Sequence, residues 1–154
     1  MVEFEITIAK VEDIELLVKH RIGMWNDMRP ELREKAQELE DLTRDWIKKK
    51  LSEGKLIGMI ARTETGVVVG SGCIWIKEEP PRLVSPRLES PYLMSMFTEK
   101  AFRRRGVASM IVQSAIDWCK ENGYNTISLH ASEAGISLYE VFGFKPTTEM
   151  RLML

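Results

Sequence analysis

The 154-residue chain contains little cysteine and little histidine: Cys73 and Cys119, His20 and His130. The two cysteines stand far apart in apolar surroundings and form no CxxC pair. That spacing excludes a disulfide framework, and reduced, buried thiols are expected. Neither histidine has a cysteine or histidine nearby in sequence, so no metal site is indicated. Charge of one sign is not in excess either. The 22 Lys and Arg against 23 Asp and Glu leave a net charge of −1, which argues against a nucleic-acid partner. No apolar run approaches the length that spans a bilayer, and no membrane partner is expected. The opening MVEFEITIAK alternates charged and apolar residues and lacks the apolar core of a signal peptide, so a cytoplasmic protein is expected. The phosphate fingerprints GxxxxGK[ST] and GxGxxG are absent, and Ser71 and Ser95 stand in no GxSxG elbow. Gly70-Ser71-Gly72 is a lone GxG inside a strand pattern, the mark of a bulge or close packing.

What is present suits one soluble α/β domain over residues 1–154, with 44% hydrophobic and 29% charged residues. Phe4, Ile6 and Ile8 alternate with polar residues at strand period. From Asp13, Ile14, Leu17, Val18 and Ile22 line one helical face, and Gly23 and the Trp25–Pro30 stretch are expected to interrupt it. A second helical segment is predicted over about Glu31–Glu53, with Leu39, Leu42, Trp46, Ile47 and Leu51 at spacings of three and four. Lys55–Thr63 and Val67–Lys77 read as strands joined at Glu64-Thr65-Gly66. Glu78–Pro91 holds four prolines and is expected to be a functional loop. Tyr92–Thr98 is a strand, Val107–Asn122 a strong helix, Thr126–Ala131 a strand, Ala134–Phe142 a short helix and Phe144–Leu154 a last strand. The order β-α-α-β-β-β-α-β-α-β predicts a mixed, mostly antiparallel central sheet flanked by helices. Its strand–helix–strand unit from Tyr92 to Ala131 should be parallel.

The chemistry concentrates in Phe97–Ser109, FTEKAFRRRGVAS. A strand ends there, a short loop follows and a helix begins near Gly106. The first N–H groups of a helix have no partner within it, and the dipole favours an anion beside them. Gly106 allows close approach to the backbone, and Arg103, Arg104 and Arg105 add positive charge. The segment is a physical recipe for a diphosphate, although a solvated turn has the same composition.

Here the chain resembles the GNAT acetyltransferase superfamily. Arg103-Arg104-Arg105-Gly106-Val107-Ala108 matches its Q/R-x-x-G-x-G/A signature, and Leu138-Tyr139-Glu140-Val141-Phe142-Gly143-Phe144 is similar to its L-Y-E-x-x-G-F segment. One helix and one strand lie between the two motifs, as in that family, and the predicted element order covers nearly the whole chain.

The resemblance implies a single N-acetyltransferase domain that carries acetyl from acetyl-CoA, as co-substrate, to an amine. It implies that the pantetheine arm pairs with main chain of Met96, Phe97 and Thr98. The pyrophosphate would lie on the N–H groups from about Arg104 to Ser109, with Val107 and Ala108 inside that stretch and Arg103 or Arg104 adding a side chain. Ser132 stands where many members have asparagine, and reaches less far. Tyr139 is the expected acid that protonates the departing thiolate. Gly135, where alanine is common, reads as harmless. For the general base Glu89, Glu99, His130, Asp27 and a water chain remain open. Trp25, Asp27, Met28 and Arg29 from the first helices, with Trp75 and Glu89 on the other side, are expected to line an acceptor site that includes the proline-rich loop and suits a cationic amine. A non-catalytic CoA-binding sensor or partner module is the alternative function. A homodimer is admitted by the resemblance and not required by it.

Overall fold

The computed structural model describes residues 3–154. Five strands form one sheet in the order β1-β2-β3-β4-β5: β1 Phe4–Ile8, β2 Leu56–Thr63, β3 Val68–Glu78, β4 Glu89–Thr98 and β5 Ser128–Leu129. The first four are antiparallel neighbours, and β5 runs parallel to β4. The helices are α1 Ile14–Met28, α2 Arg33–Glu38, α3 Glu40–Ser52, α4 Val107–Glu121 and α5 Ile136–Val141.

The two faces of the sheet follow from strand alternation. On β2, Met59 and Ala61 turn to one side, and on α4 Val107, Ile111, Val112, Ala115 and Cys119 meet them. Leu56 and Ile60 turn to the other side, where Ile14, Leu17, Val18 and Ile22 of α1 and Ile47 of α3 cover them. Both cysteines are buried. Burial pushes the Cys73 thiol up to about 12 and the Cys119 thiol to about 11, so neither is a nucleophile near neutral pH.

The predicted boundaries shift in ways that have physical causes. Helix α1 runs through Gly23 instead of stopping there. A Cβ at Gly23 would lie 3.0 Å from the Phe97 ring, so the glycine serves packing against β4. The predicted 31–53 helix is broken at Leu39 into α2 and α3, after a 3-10 turn at Pro30–Leu32. The Glu64-Thr65-Gly66 turn joins β2 and β3 as expected, and β4 begins at Glu89, inside the expected loop. The GxG reading holds: Cβ atoms at Gly70 and Gly72 would lie 2.7 Å from Phe97 O and 2.5 Å from Met96 Sδ.

Two strand expectations are corrected. The predicted 126–131 strand is reduced to Ser128–Leu129, and 144–154 contains no strand at all. Residues Ser95 and Met96 of β4 oppose the single residue Gly72 of β3, a bulge at which Ser95 takes φ 57°. Bulges bend the strand that carries them. Pairing with β5 ends at Leu93 and Leu129, and the short β5 offers almost no edge on which the last segment could pair.

Candidate active site

Because β4 and β5 part company after Leu93, the main chain of Met94–Thr98 has no ladder partner on that side. A cleft of about 1550 Å³ opens there, between β4, the start of α4, the Ser132–Tyr139 segment and the helices α1 and α3.

Its floor at one end is built from backbone. The first bond of α4 is Met110 N–H to Gly106 O, so the N–H groups of Val107, Ala108 and Ser109 come before helical pairing begins. Arg104 and Gly106 are left-handed, with φ 61° and 80°, and flank Arg105. Alternation of this kind turns successive N–H groups to one side and makes an anion cradle. A Cβ built on Gly106 meets nothing within 4 Å, so the space above the cradle is open.

The expected site residues divide. Met96, Phe97, Thr98, Arg103, Arg104, Gly106, Val107, Ala108, Ser109, Ser132 and Tyr139 all line the one cleft, together with Trp25, Asp27, Met28 and Trp75. The side chain of Arg105 turns out of it. It stacks over Phe102 at 5.6 Å and borders a separate hollow beside Phe4. Arg103 is engaged by the protein itself: Nε donates to Thr98 O at 2.9 Å and the guanidinium pairs with Asp27. That strap ties the end of β4 to α1 and leaves Arg104 as the cradle's unengaged arginine.

Glu89 does not reach the cleft. It accepts from Lys55 Nζ at 2.6 Å and Tyr124 Oη at 2.7 Å at the far end of β4, and Lys55 holds its carboxyl below the usual range. The proline-rich loop is likewise misplaced by the sequence expectation. Arg87 Nη1 donates to Asn122 O at 3.0 Å and Asn125 Nδ2 to Val84 O at 2.7 Å, so the loop straps the C-terminal end of α4.

Tyr139 packs its ring against Phe144, 5.8 Å between centroids. Burial raises its pKa, so the phenol keeps its proton through neutral pH. At Gly135 an alanine would be tight. A Cβ there would lie 3.1 Å from the Tyr139 ring and 3.2 Å from Ser132 Oγ, so the glycine leaves room for both.

At the other end the cleft is built from side chains that the motifs do not include. Tyr92, Trp46, Leu39, Leu42, Thr43 and Arg21 join Trp25, Met28 and Trp75 there. Trp75 meets Trp46 and Tyr92 edge to face, at 5.4 and 6.2 Å. The Tyr92 hydroxyl shares a hydrogen bond with His130 Nδ1, and His130 Nε2 lies 2.9 Å from a Glu149 oxygen. A carboxylate only accepts, so Nε2 carries a hydrogen, and an Nδ1 without one accepts from the Tyr92 hydroxyl.

These residues had a sequence signal of a different kind. Arg21 and His20 stand on the apolar stripe of α1 between Leu17 and Trp25, and a charged or polar residue on such a stripe is informative. His20 is fully buried; its Nδ1 accepts from Ser71 Oγ at 2.7 Å and its Nε2 donates to Glu99 at 3.1 Å. Burial lowers its pKa, with Glu99 opposing, so the ring is neutral. The arrangement has the composition of a serine triad. Ser71, however, is 1% exposed, so no substrate reaches its oxygen and the network holds α1, β3 and the Glu99 turn together.

No helix among the described residues is long and apolar enough to cross a membrane. Nor does any group of three His, Cys, Asp or Glu among them stand ready to hold a metal ion.

Comparison with known proteins agrees with this geometry. The human N-acetyltransferase 8 is 27% identical over 113 residues, which cover 71% of this chain and 46% of that protein, so the chain matches less than half of that relative's length. The structure superposes on a GCN5-related N-acetyltransferase from Ralstonia eutropha JMP134 with a TM-score of 0.91 at 26% identity over 99% of both chains. It superposes on a predicted acetyltransferase of Clostridium acetobutylicum, solved with acetyl-CoA, with a TM-score of 0.86 at 24% identity over 99% of this chain and 96% of that one. The model of the acetyltransferase (GNAT) family matches residues 21–144, most of the molecule from the middle of α1 to Phe144. With its splayed fourth and fifth strands and its open helix N-terminus, this chain belongs to the GNAT acetyltransferase family.

Proposed function

We propose that the protein transfers an acetyl group from acetyl-CoA to a primary amine of a small molecule or peptide, by direct attack of the amine on the thioester. The observation that carries this reading is the juxtaposition in one cleft of the open amide cradle at Val107–Ser109, the unpaired edge of β4 and Tyr139. The acetyl-CoA in the Clostridium structure supports the same choice of co-substrate.

The residues present suit that molecule. The cradle takes the diphosphate, with Arg104 beside it, and the N–H and C=O groups of Met96–Thr98 take the amides of the pantetheine arm. Bound acetyl-CoA supplies an activated acetyl thioester. The new bond runs from amine nitrogen to acetyl carbon and the carbon–sulfur bond breaks; Tyr139 protonates the sulfur, and the proton the nitrogen sheds as it becomes an amide restores the Tyr139 phenol. An ordinary thiol and an ordinary phenol have pKa values of about 8.5 and 10, so this transfer is mildly uphill, and Tyr139 contributes about 10²–10⁴-fold.

The incoming ammonium must lose a proton before it has a lone pair. Of the four residues considered as base, Glu89 is remote, Asp27 is paired with Arg103, and Glu99 accepts from His20. His130 borders the cleft with its Nδ1 on the Tyr92 hydroxyl. The amine proton passes to the Tyr92 oxygen as Tyr92 passes its own to Nδ1, and Glu149 steadies the imidazolium.

Release of free thiol from acetyl-CoA over a panel of amines tests the reading. Turnover that requires an amine supports it. Tight CoA binding with no turnover on any amine, peptide or aminoglycoside would return the protein to the class of non-catalytic CoA-binding modules.

A further inference from the structure

The acceptor end of the cleft contains one charge without a counter-charge. Arg21 projects from the middle of α1, is mostly buried, and makes no ion pair among the described residues. Its Nη1 donates to Ser95 Oγ at 2.8 Å, and its guanidinium stacks 4.5 Å from the Trp25 ring. A guanidinium has five N–H donors, so four are left with no protein acceptor. Those donors face the cleft, and a cation partly withdrawn from water with no counter-charge carries a cost that an incoming anion offsets. Burial accordingly opposes the charge on Arg21.

The surroundings define what the anion is attached to. Trp46, Trp75, Leu42 and Met94 make the walls apolar and aromatic. The hydrogen bond to Ser95 fixes the guanidinium at the β4 bulge, beside the Met96–Thr98 edge that receives the thioester arm. A thioester arm paired along Met96–Thr98 would bring its reacting carbon beside the bulge, so an anion held by Arg21 would belong to a group only a bond or two from the attacking nitrogen. A planar fork matches the two oxygens of a carboxylate. The other arginines of the cleft, Arg103 and Arg104, belong to the strap and the cradle, so a phosphate dianion would find its second charge uncompensated here.

We propose that the acceptor is an α-amino acid with an apolar or aromatic side chain, its carboxylate received by Arg21 and its side chain by the Trp46–Trp75 wall. This inference rests on the transferase reading and narrows it, and it replaces the cationic amine expected from the sequence. The amine nitrogen takes the acetyl group and gives up a proton, the thiol leaves with the proton from Tyr139, the nitrogen's proton restores the phenol, and the carboxylate is unchanged.

The test compares leucine, methionine, phenylalanine and tryptophan with their amides and with phenethylamine, by thiol release. For the best amino acid, kcat/KM should exceed that of its amide about 10- to 100-fold, the range of one charge-assisted pair. Arg21→Gln should collapse that ratio to within about threefold, and Arg21→Lys, which keeps the charge without the fork, should give an intermediate ratio. In parallel, calorimetry on the CoA-saturated protein compares N-acetylphenylalanine with its amide. Tighter binding of the acid that Arg21→Gln erases supports the carboxylate site at Arg21 even if no amine is acetylated, an outcome that would sink the transferase reading and leave that site standing. Acetylation of amides and phenethylamine as efficiently as of the acids, with no affinity difference between the two products, overturns the inference and leaves the transferase reading intact.

Discussion

The two ends of the cleft are made of different material. The end at Gly106 is backbone: three unpaired amides, two left-handed residues and a strand edge. The end at Arg21 is side chains drawn from α1, α3, β3 and β4, with ring packing and a single buried cation. A backbone site tolerates changes in most side chains and depends on a few glycine-permitted turns. A side-chain site is re-cut by each substitution. The first end therefore suits a co-substrate common to a family, and the second an acceptor particular to one member.

Changes at the two ends should separate chemistry from recognition. The largest effect is expected at the bridge between them. Tyr139→Phe should lower kcat by about 10²–10⁴-fold, with acetyl-CoA affinity by calorimetry changed less than about threefold. A variant as fast as the parent removes the acid role. Next, Gly106→Glu places a carboxylate on the cradle and a side chain at φ 80°. Acetyl-CoA affinity should fall at least about 100-fold, roughly two charge-assisted contacts, while binding of N-acetylphenylalanine to the variant should persist. Loss of both together would show that the two ends are not separable.

Smaller effects sharpen the comparison. Glu89→Gln, outside the cleft, should leave kcat/KM within about twofold of the parent and act on thermal stability alone. A tenfold loss of activity would restore Glu89 to the site. The His20 network predicts a pH signature. The folded pKa of His20 lies below the ordinary value of about 6.5, so in the window between the two the unfolded chain binds more protons. Stability is complete above about pH 6.5 and declines as pH falls toward the folded value. Urea melts of the parent should show that decline, and His20→Gln should flatten it. An equal slope in the variant would place the titrating group elsewhere.

The same division explains what the sequence disclosed. The cradle was legible because its parts are consecutive: Gly106 opens the helix whose apolar stripe runs from Val107 to Cys119. Tyr139 was legible because it is the second residue of the motif that runs from Leu138 to Phe144. The acceptor end was legible only in part: Trp25, Asp27, Met28 and Trp75 were expected there and line the cleft, but Arg21, Trp46 and Tyr92 become their neighbours only after the sheet and helices pack. The proline-rich loop misled for a related reason. Its composition announces a loop, but which end of the sheet it covers is set by Arg87 and Asn125, whose bonds to Asn122 O and Val84 O tie it to the C-terminal end of α4. The lost final strand goes with a β5 of only two residues, Ser128 and Leu129. Alternation in sequence describes one strand's faces, and not whether a neighbour offers an edge.

The most direct test is amide hydrogen exchange with and without acetyl-CoA. Binding should slow exchange at Val107, Ala108 and Ser109 and along Met96–Thr98, while the amides of the 79–88 loop keep their rates. Saturating acetyl-CoA that leaves the Val107–Ser109 amides exchanging as before would contradict the account.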